Sequence, residues 1–65
     1  MKYVISDGYG NYLCLCQGQL VWDGDIRQAD EYENEDDAQD VAEAREMRDG
    51  QPLGTYKVLP WGGAQ

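Results

Sequence analysis

Histidine is absent, cysteine occurs twice, and five lysines and arginines stand against thirteen aspartates and glutamates. Each shortage removes a class of chemistry. Without histidine, no side chain has an ordinary pKa suited to acid–base work near neutral pH. Two cysteines without histidine cannot complete a four-ligand zinc site, so neither a metal nor any other cofactor is expected. Cys14 and Cys16 are spaced i, i+2, which in a strand puts them on one face in a poor geometry for bridging each other. They read as small, reduced, partly buried side chains, with a dimer-spanning site or disulfide as the alternative. No run of about 18 apolar residues could span a membrane. Met1-Lys2-Tyr3 leads into a strand pattern and not into a secretion signal, so a cytoplasmic protein with no membrane partner is expected. A chain of 65 residues makes one domain, residues 1–65, and buries only about 60% of its unfolded surface. That leaves no room for a cleft enclosed by several loops. These shortages argue against an enzyme and in favour of binding.

The residues that are present specify a fold. Lys2 to Ser6 is β-prone, and Asp7-Gly8-Tyr9-Gly10-Asn11 supplies the glycines and Asx residues of a tight hairpin loop. Tyr12 to Cys16 forms a second strand, with Tyr12, Cys14 and Cys16 on one face and Leu13 and Leu15 on the other. Gln17-Gly18 turns the chain into a third strand, Gln19 to Trp22, ended by Asp23-Gly24-Asp25. Ile26 to Glu33 is a connector whose Ile26, Ala29 and Tyr32 tuck against the sheet. Asn34 is an N-cap with Asp37 at the N3 position of a capping-box-like arrangement, and Gly50 closes a helix that runs to about Arg48. Thr55 to Leu59 forms a fourth strand, and Pro60-Trp61-Gly62-Gly63 follows with an aromatic to cover an edge of the core. The expected fold is α+β, a small two-layer domain in which an antiparallel sheet of order β-β-β-α-β carries one helix on one face.

Charge is segregated along this plan. Twelve of the thirteen acids lie between Asp23 and Asp49, with three arginines among them. On a helical wheel Ala38, Val41 and Ala42 share a stripe. Glu35, Asp36, Asp40, Glu43 and Glu46 fall on a roughly opposite arc with Gln39 among them. Arg45 falls within the apolar stripe and must snorkel or pair with a carboxylate. Charged helix faces keep small proteins soluble. Asp36 with Asp40 and Asp40 with Glu43, however, are like-charge neighbours that weaken a helix, and solubility does not require them. Carboxylates from Glu35 to Glu46 span about 16 Å at the helical rise. They are spaced close to the roughly 3.4 Å per charge along one DNA strand. Direct binding of nucleic acid is disfavoured by the net charge of −8, whereas a groove lined with Lys and Arg would accept such a helix.

Other motifs fail on inspection. Asp23-Gly24-Asp25 opens like a calcium loop, but Arg27 holds the next ligand position and Gln28 replaces the turn glycine. Gly8-Tyr9-Gly10 and Gly62-Gly63 do not lead from a strand into a helix, so they are not phosphate cradles. Tyr3, Tyr9, Tyr12, Tyr56, Trp22 and Trp61 supply core, and any that are exposed could anchor an interface.

A tiny β-rich domain, one capped acidic helix and segregated negative charge together resemble the small phage-encoded anti-CRISPR proteins of the DNA-mimic kind. The hairpin of Tyr3-Val4-Ile5 with Tyr12-Leu13, then Ala29 and Tyr32 before Asn34-Glu35-Asp36-Asp37-Ala38, also resembles the plan of many small phage accessory proteins. The resemblance implies an inhibitor, working in the host bacterial cytoplasm as a monomer or weak dimer, that occupies a basic DNA-binding or protospacer-adjacent-motif-reading groove of a type I CRISPR-Cas surveillance complex (Cascade). The residues it would use as phosphate stand-ins are Asp30, Glu31, Glu33, Glu35, Asp36, Asp37, Asp40, Glu43 and Glu46. Two alternatives are a phage inhibitor of another host nucleic-acid-binding enzyme and a small assembly protein that packs through its sheet and aromatics.

Overall fold

The structure is a computed structural model that describes residues 2–62. Lys2–Ser6 (β1), Tyr12–Cys16 (β2), Gln19–Asp23 (β3) and Lys57–Trp61 (β4) form one antiparallel sheet in the order β3-β2-β1-β4. Glu35–Asp49 (α1) packs on one face against β1 and β4. The fold is thus the α+β arrangement expected, with β3 paired to β2 and β4 to β1.

Local chemistry explains the turns. The β1–β2 loop is organised by Asp7, whose carboxylate accepts from the Tyr9 and Asn11 amides at 2.7 and 3.2 Å and from Asn11 Nδ2 at 2.9 Å. Partial burial pushes the Asp7 carboxyl up, but these hydrogen bonds outweigh it and hold the group below its ordinary range. Gly8 and Gly10 take the left-handed conformations (φ 84° and 86°) that the loop needs. Gln17 and Gly18, both at positive φ, make the second turn with the backbone sense favoured in two-residue hairpins.

β1 and β2 pair at Ser6 and Tyr12, next to their loop, and then part. The connector fills the gap. The Asp30 amide donates to Leu13 O at 3.0 Å, and Tyr32 exchanges two 2.8 Å backbone bonds with Tyr3. Backbone groups that the splayed strands would otherwise leave unpaired are satisfied in this way. Tyr32 packs against the core, and Ile26 and Ala29 are half-buried as expected, Ile26 within a short 3-10 turn, Ile26–Gln28, capped by Asp25.

The core between the layers is Ile5, Leu13, Ala38, Ala42 and Tyr56, flanked by Tyr3, Leu20, Trp22, Val41 and Val58. Trp22 meets the Tyr56 ring edge-on at 4.7 Å. The apolar stripe of α1 ends after Ala42, and the next residue on it, four positions on, is Glu46.

The sequence places Glu46 on the outer acidic arc, and the structure corrects this, because Glu46 is fully buried. It lies at i+4 from Ala42 and i+8 from Ala38, on the row that faces the sheet. Its Oε2 accepts from the Tyr56 amide at 2.8 Å, while Oε1 has no hydrogen-bond partner among the described residues. One turn on, Asp49 Oδ2 accepts from the Tyr56 hydroxyl at 2.6 Å and from Arg45 Nε at 3.1 Å. Arg45 Nη1 also donates to Leu20 O at 3.2 Å. The expected pairing of Arg45 with a carboxylate is therefore present.

Two further expectations change in detail. The fourth strand begins at Lys57 and extends through Pro60 to Trp61. Thr55 is still in a turn, its amide and hydroxyl both donating to Pro52 O, and the Tyr56 amide is taken by Glu46. Pro60 is tolerated because β4 is an edge strand. The expected terminal Gly63 lies outside the described residues. Asn34 is the N-cap, but its side chain takes no backbone N–H; instead Nδ2 donates to Asp37 at 3.2 Å. Gly50 closes the helix in the left-handed conformation (φ 72°), and the Gln51 amide returns to Glu46 O at 2.8 Å.

Two predictions test the contacts at Tyr56. Glu46→Ala leaves the Tyr56 amide unpaired beside a cavity and should cost about 2–4 kcal/mol in urea unfolding. Glu46→Gln keeps an acceptor and should cost clearly less, so equal losses would show that the amide contact does not hold the fold. The Tyr56 hydroxyl bond draws the Asp49 carboxyl below its ordinary range; burial opposes this and the Arg45 charge assists it. A carboxyl depressed in the folded state stabilises above its unfolded pKa of about 3.9 and loses that contribution as pH falls through the folded value. Asp49→Asn should therefore flatten the loss of stability below about pH 4, measured by urea unfolding across a pH series.

Candidate protein-interaction face

The nine acids expected to form one surface are divided by the fold. Asp36, Asp37 and Asp40 are exposed on the outer side of α1, and Glu43 is half-buried beside them. Glu35 is exposed in the first turn of the helix. Asp36, Asp40 and Glu43 lie within about 60° of one another around the axis and span about 10 Å along it. Acids in the first turn also face the positive end of the helix dipole.

The connector acids lie elsewhere. Tyr32 points into the core, so alternation along an extended segment sends Glu31 and Glu33 to the opposite side of the sheet. The ion pair of Glu33 with Lys2 at 2.7 Å confirms this placement, since Lys2 precedes the inward-facing Tyr3. Asp30 is half-buried and interacts with the Tyr32 hydroxyl, which burial first, and then the Asp30 charge and hydrogen bond, push up to about 12. Glu46 is in the core. The continuous 16 Å track expected from the sequence is thus a shorter patch on the first two to three turns of α1.

The charge balance of this patch follows from where the cations sit. Lys2 pairs with Glu33, Arg27 with Asp25 and Arg45 with Asp49, while Lys57 Nζ donates to Gly54 O. None of these contacts reaches the outer arc. Glu35, Asp36, Asp40 and Glu43 have neither an ion pair nor a hydrogen bond from their side chains among the described residues. The carboxylate pairs at i, i+4 and i, i+3 are therefore like-charge neighbours with no side-chain cation between them among the described residues.

No group of three or more Cys, Asp or Glu side chains that could hold a metal ion occurs among the described residues. Cys14 is half-buried and Cys16 exposed, both as free thiols; burial, then the charge of Asp23, pushes the Cys14 thiol up. Among the described residues, no helix is long and apolar enough to cross a membrane.

Two features escaped the sequence reading. Glu46 could have been placed by counting from Ala38 through Ala42 in steps of four. A groove lined by Leu20, Val41, Ala44, Arg45 and Arg48 depends on where α1 lies across the sheet, and no periodicity encodes that. Comparison with protein-family models, with curated proteins and with solved structures found no match.

Asp40 stands between Asp36 and Glu43, so Asp40→Asn, a change of nearly equal helix propensity, should raise the urea midpoint at low salt. The gain should shrink as salt screens the repulsion. A loss of stability at low salt would show that Asp40 has a compensating partner.

Proposed function

We propose that this chain is a non-catalytic inhibitor that lays the outer face of α1 in a basic groove of a nucleic-acid-binding protein, in place of phosphates. The observation that carries this reading is that Asp36, Asp40 and Glu43 are left without compensating cations, while four of the chain's five cations bond elsewhere. A small domain gains stability by removing such repulsion, and retaining it is accounted for by a partner that supplies the cations. Binding would proceed by electrostatic steering and by release of the partner's counterions.

The resemblance to phage anti-CRISPR proteins selects the first target, a type I surveillance complex whose target-DNA groove is lined with Lys and Arg. Asp36, Asp37, Asp40 and Glu43 are the phosphate stand-ins, with Glu35 at the margin. Glu31 and Glu33, on the other side of the sheet, lie outside the contact, and Asp30 and Glu46 serve the fold. Inhibition of another host nucleic-acid enzyme would use the same face against a different groove. The exposed Tyr9, Leu53 and Leu15 are what an assembly role would use instead.

The test is a competition gel shift with guide-loaded type I complex and target DNA at low and moderate salt. The chain should block DNA binding more strongly at low salt. Reversing Asp36, Asp37, Asp40 and Glu43 to Lys, with the helical circular dichroism signal retained, should abolish the block, while Glu31→Lys with Glu33→Lys should leave it. Undisturbed DNA binding by the parent chain would exclude this target. A block that survives reversal of the helix acids would contradict mimicry itself.

A further inference from the structure

Because α1 lies against β1 and β4, helix and sheet part on the β3 side and leave a groove of about 330 Å³. Leu20, Val41 and Ala44 supply its aliphatic lining, and Arg45 and Arg48 stand beside them. On a chain of net charge −8, these two guanidinium groups are three residues apart and so share one side of the helix.

The two arginines are held differently. The Arg45 side chain is 14% exposed and fixed by its bonds to Asp49 and to Leu20 O. A guanidinium carries five N–H donors in a planar fork, of which these bonds engage one at Nε and one at Nη1. Arg48 is exposed, and its side chain has neither a hydrogen bond nor an ion pair among the described residues. Charge-assisted hydrogen bonds made against an apolar wall are stronger than those made in open water.

We infer that this groove receives, from a partner polypeptide, an aliphatic side chain with a carboxylate beside it. The aliphatic group covers Leu20, Val41 and Ala44, and the carboxylate takes the free donors of Arg45 and Arg48. A basic occupant would be repelled by Arg48, which has no ion pair among the described residues, and would find Arg45 already paired with Asp49. A free aliphatic acid must approach through the field of an acidic chain, and a second copy brings its own acids. A carboxylate carried on a partner whose neighbouring surface is basic meets neither obstacle. Along α1 the exposed Asp36 and Asp40, the half-buried Val41 with the exposed Ala44, and then the exposed Arg48 follow one another over about 18 Å. The complementary surface therefore reads basic, aliphatic, acidic. The choice of occupant rests on the reading that the acidic patch docks on a basic surface, whichever protein carries it.

The full chain, labelled for NMR, would be titrated with N-acetyl-leucine and separately with the neutral N-acetyl-leucinamide. N-acetyl-leucine should shift the methyl signals of Leu20, Val41 and Ala44 and the Nε–H signals of both arginines, and should bind about tenfold more tightly than the amide. Arg48→Glu makes no change to the internal bonding, so the Ile5 and Leu13 methyl signals should stay in place while the preference for the acid is lost. Equal binding of acid and amide, shifts that map away from the groove, or no shift at tens of millimolar probe would each overturn the inference. Hexanoate binding far more tightly than N-acetyl-leucine would assign the groove to free aliphatic acids. Groove shifts that appear with protein concentration alone would assign it to a second copy; either result overturns the polypeptide reading.

Discussion

Tyr56 is gripped by two carboxylates of α1, and the position of the helix follows from that grip. Glu46 takes its amide, Asp49 takes its hydroxyl, and Trp22 meets its ring edge-on. The hydrocarbon of α1 is spent by Ala42, with Ala38 and Ala42 as its fully buried apolar residues. Two alanines bury little area, so the second half of the helix is fastened to the sheet by polar bonds. A buried carboxylate is costly unless hydrogen bonded, and Glu46 offsets part of that cost through Oε2, which satisfies the backbone where the chain enters β4, while Oε1 has no partner among the described residues. The Asp49 bond, and after it burial, push the Tyr56 hydroxyl up to about 12.

This arrangement assigns the charges of the helix to two separate tasks. Acids on the inner row, Glu46 and Asp49, serve the fold together with Arg45. Acids on the outer side, Asp36, Asp40 and Glu43, make no side-chain hydrogen bond or ion pair among the described residues. The cations follow the inner set or the far side of the sheet, as with Arg45 on Asp49 and Lys2 on Glu33. The negative face is consequently a product of the whole fold, since it depends on where the few positive groups are committed as well as on where the acids stand. The same placement of α1 over β1 and β4 opens the groove beside β3.

Much of the fold was legible from local chemistry. Gly8, Gly10 and Asn11 marked the first hairpin, Gln17-Gly18 the second, and Asn34 and Gly50 the helix ends, because each position needs a backbone conformation or a hydrogen bond that few residues supply. The pairing of β4 with β1 was not legible, because it joins segments across most of the chain and no local signal encodes that register. The filling of the β1–β2 gap by residues 30–32 was hidden for the same reason. The interaction face was legible only in part. Charge patterning located the acids on α1, but a wheel drawn around Ala38, Val41 and Ala42 tilted the buried direction toward Val41 and placed Glu46 outside. The structure turns that direction toward Ala42 and brings Glu46 and Asp49 inward. Glu31 and Glu33 looked continuous with the helix acids in sequence, yet the pleat of an extended segment sent them to the other side.

Among all these contacts, the central claim is that the outer acids of α1 replace phosphates in a basic groove. The salt dependence of binding to the type I surveillance complex reads this directly, because the slope of log K against log salt counts the counterions released. The parent chain should show a steep slope. That slope should collapse when Asp36, Asp37, Asp40 and Glu43 are neutralised and persist when Glu31 and Glu33 are neutralised. A slope that is shallow in the parent chain, or that is unmoved by neutralising the helix acids, would contradict the account.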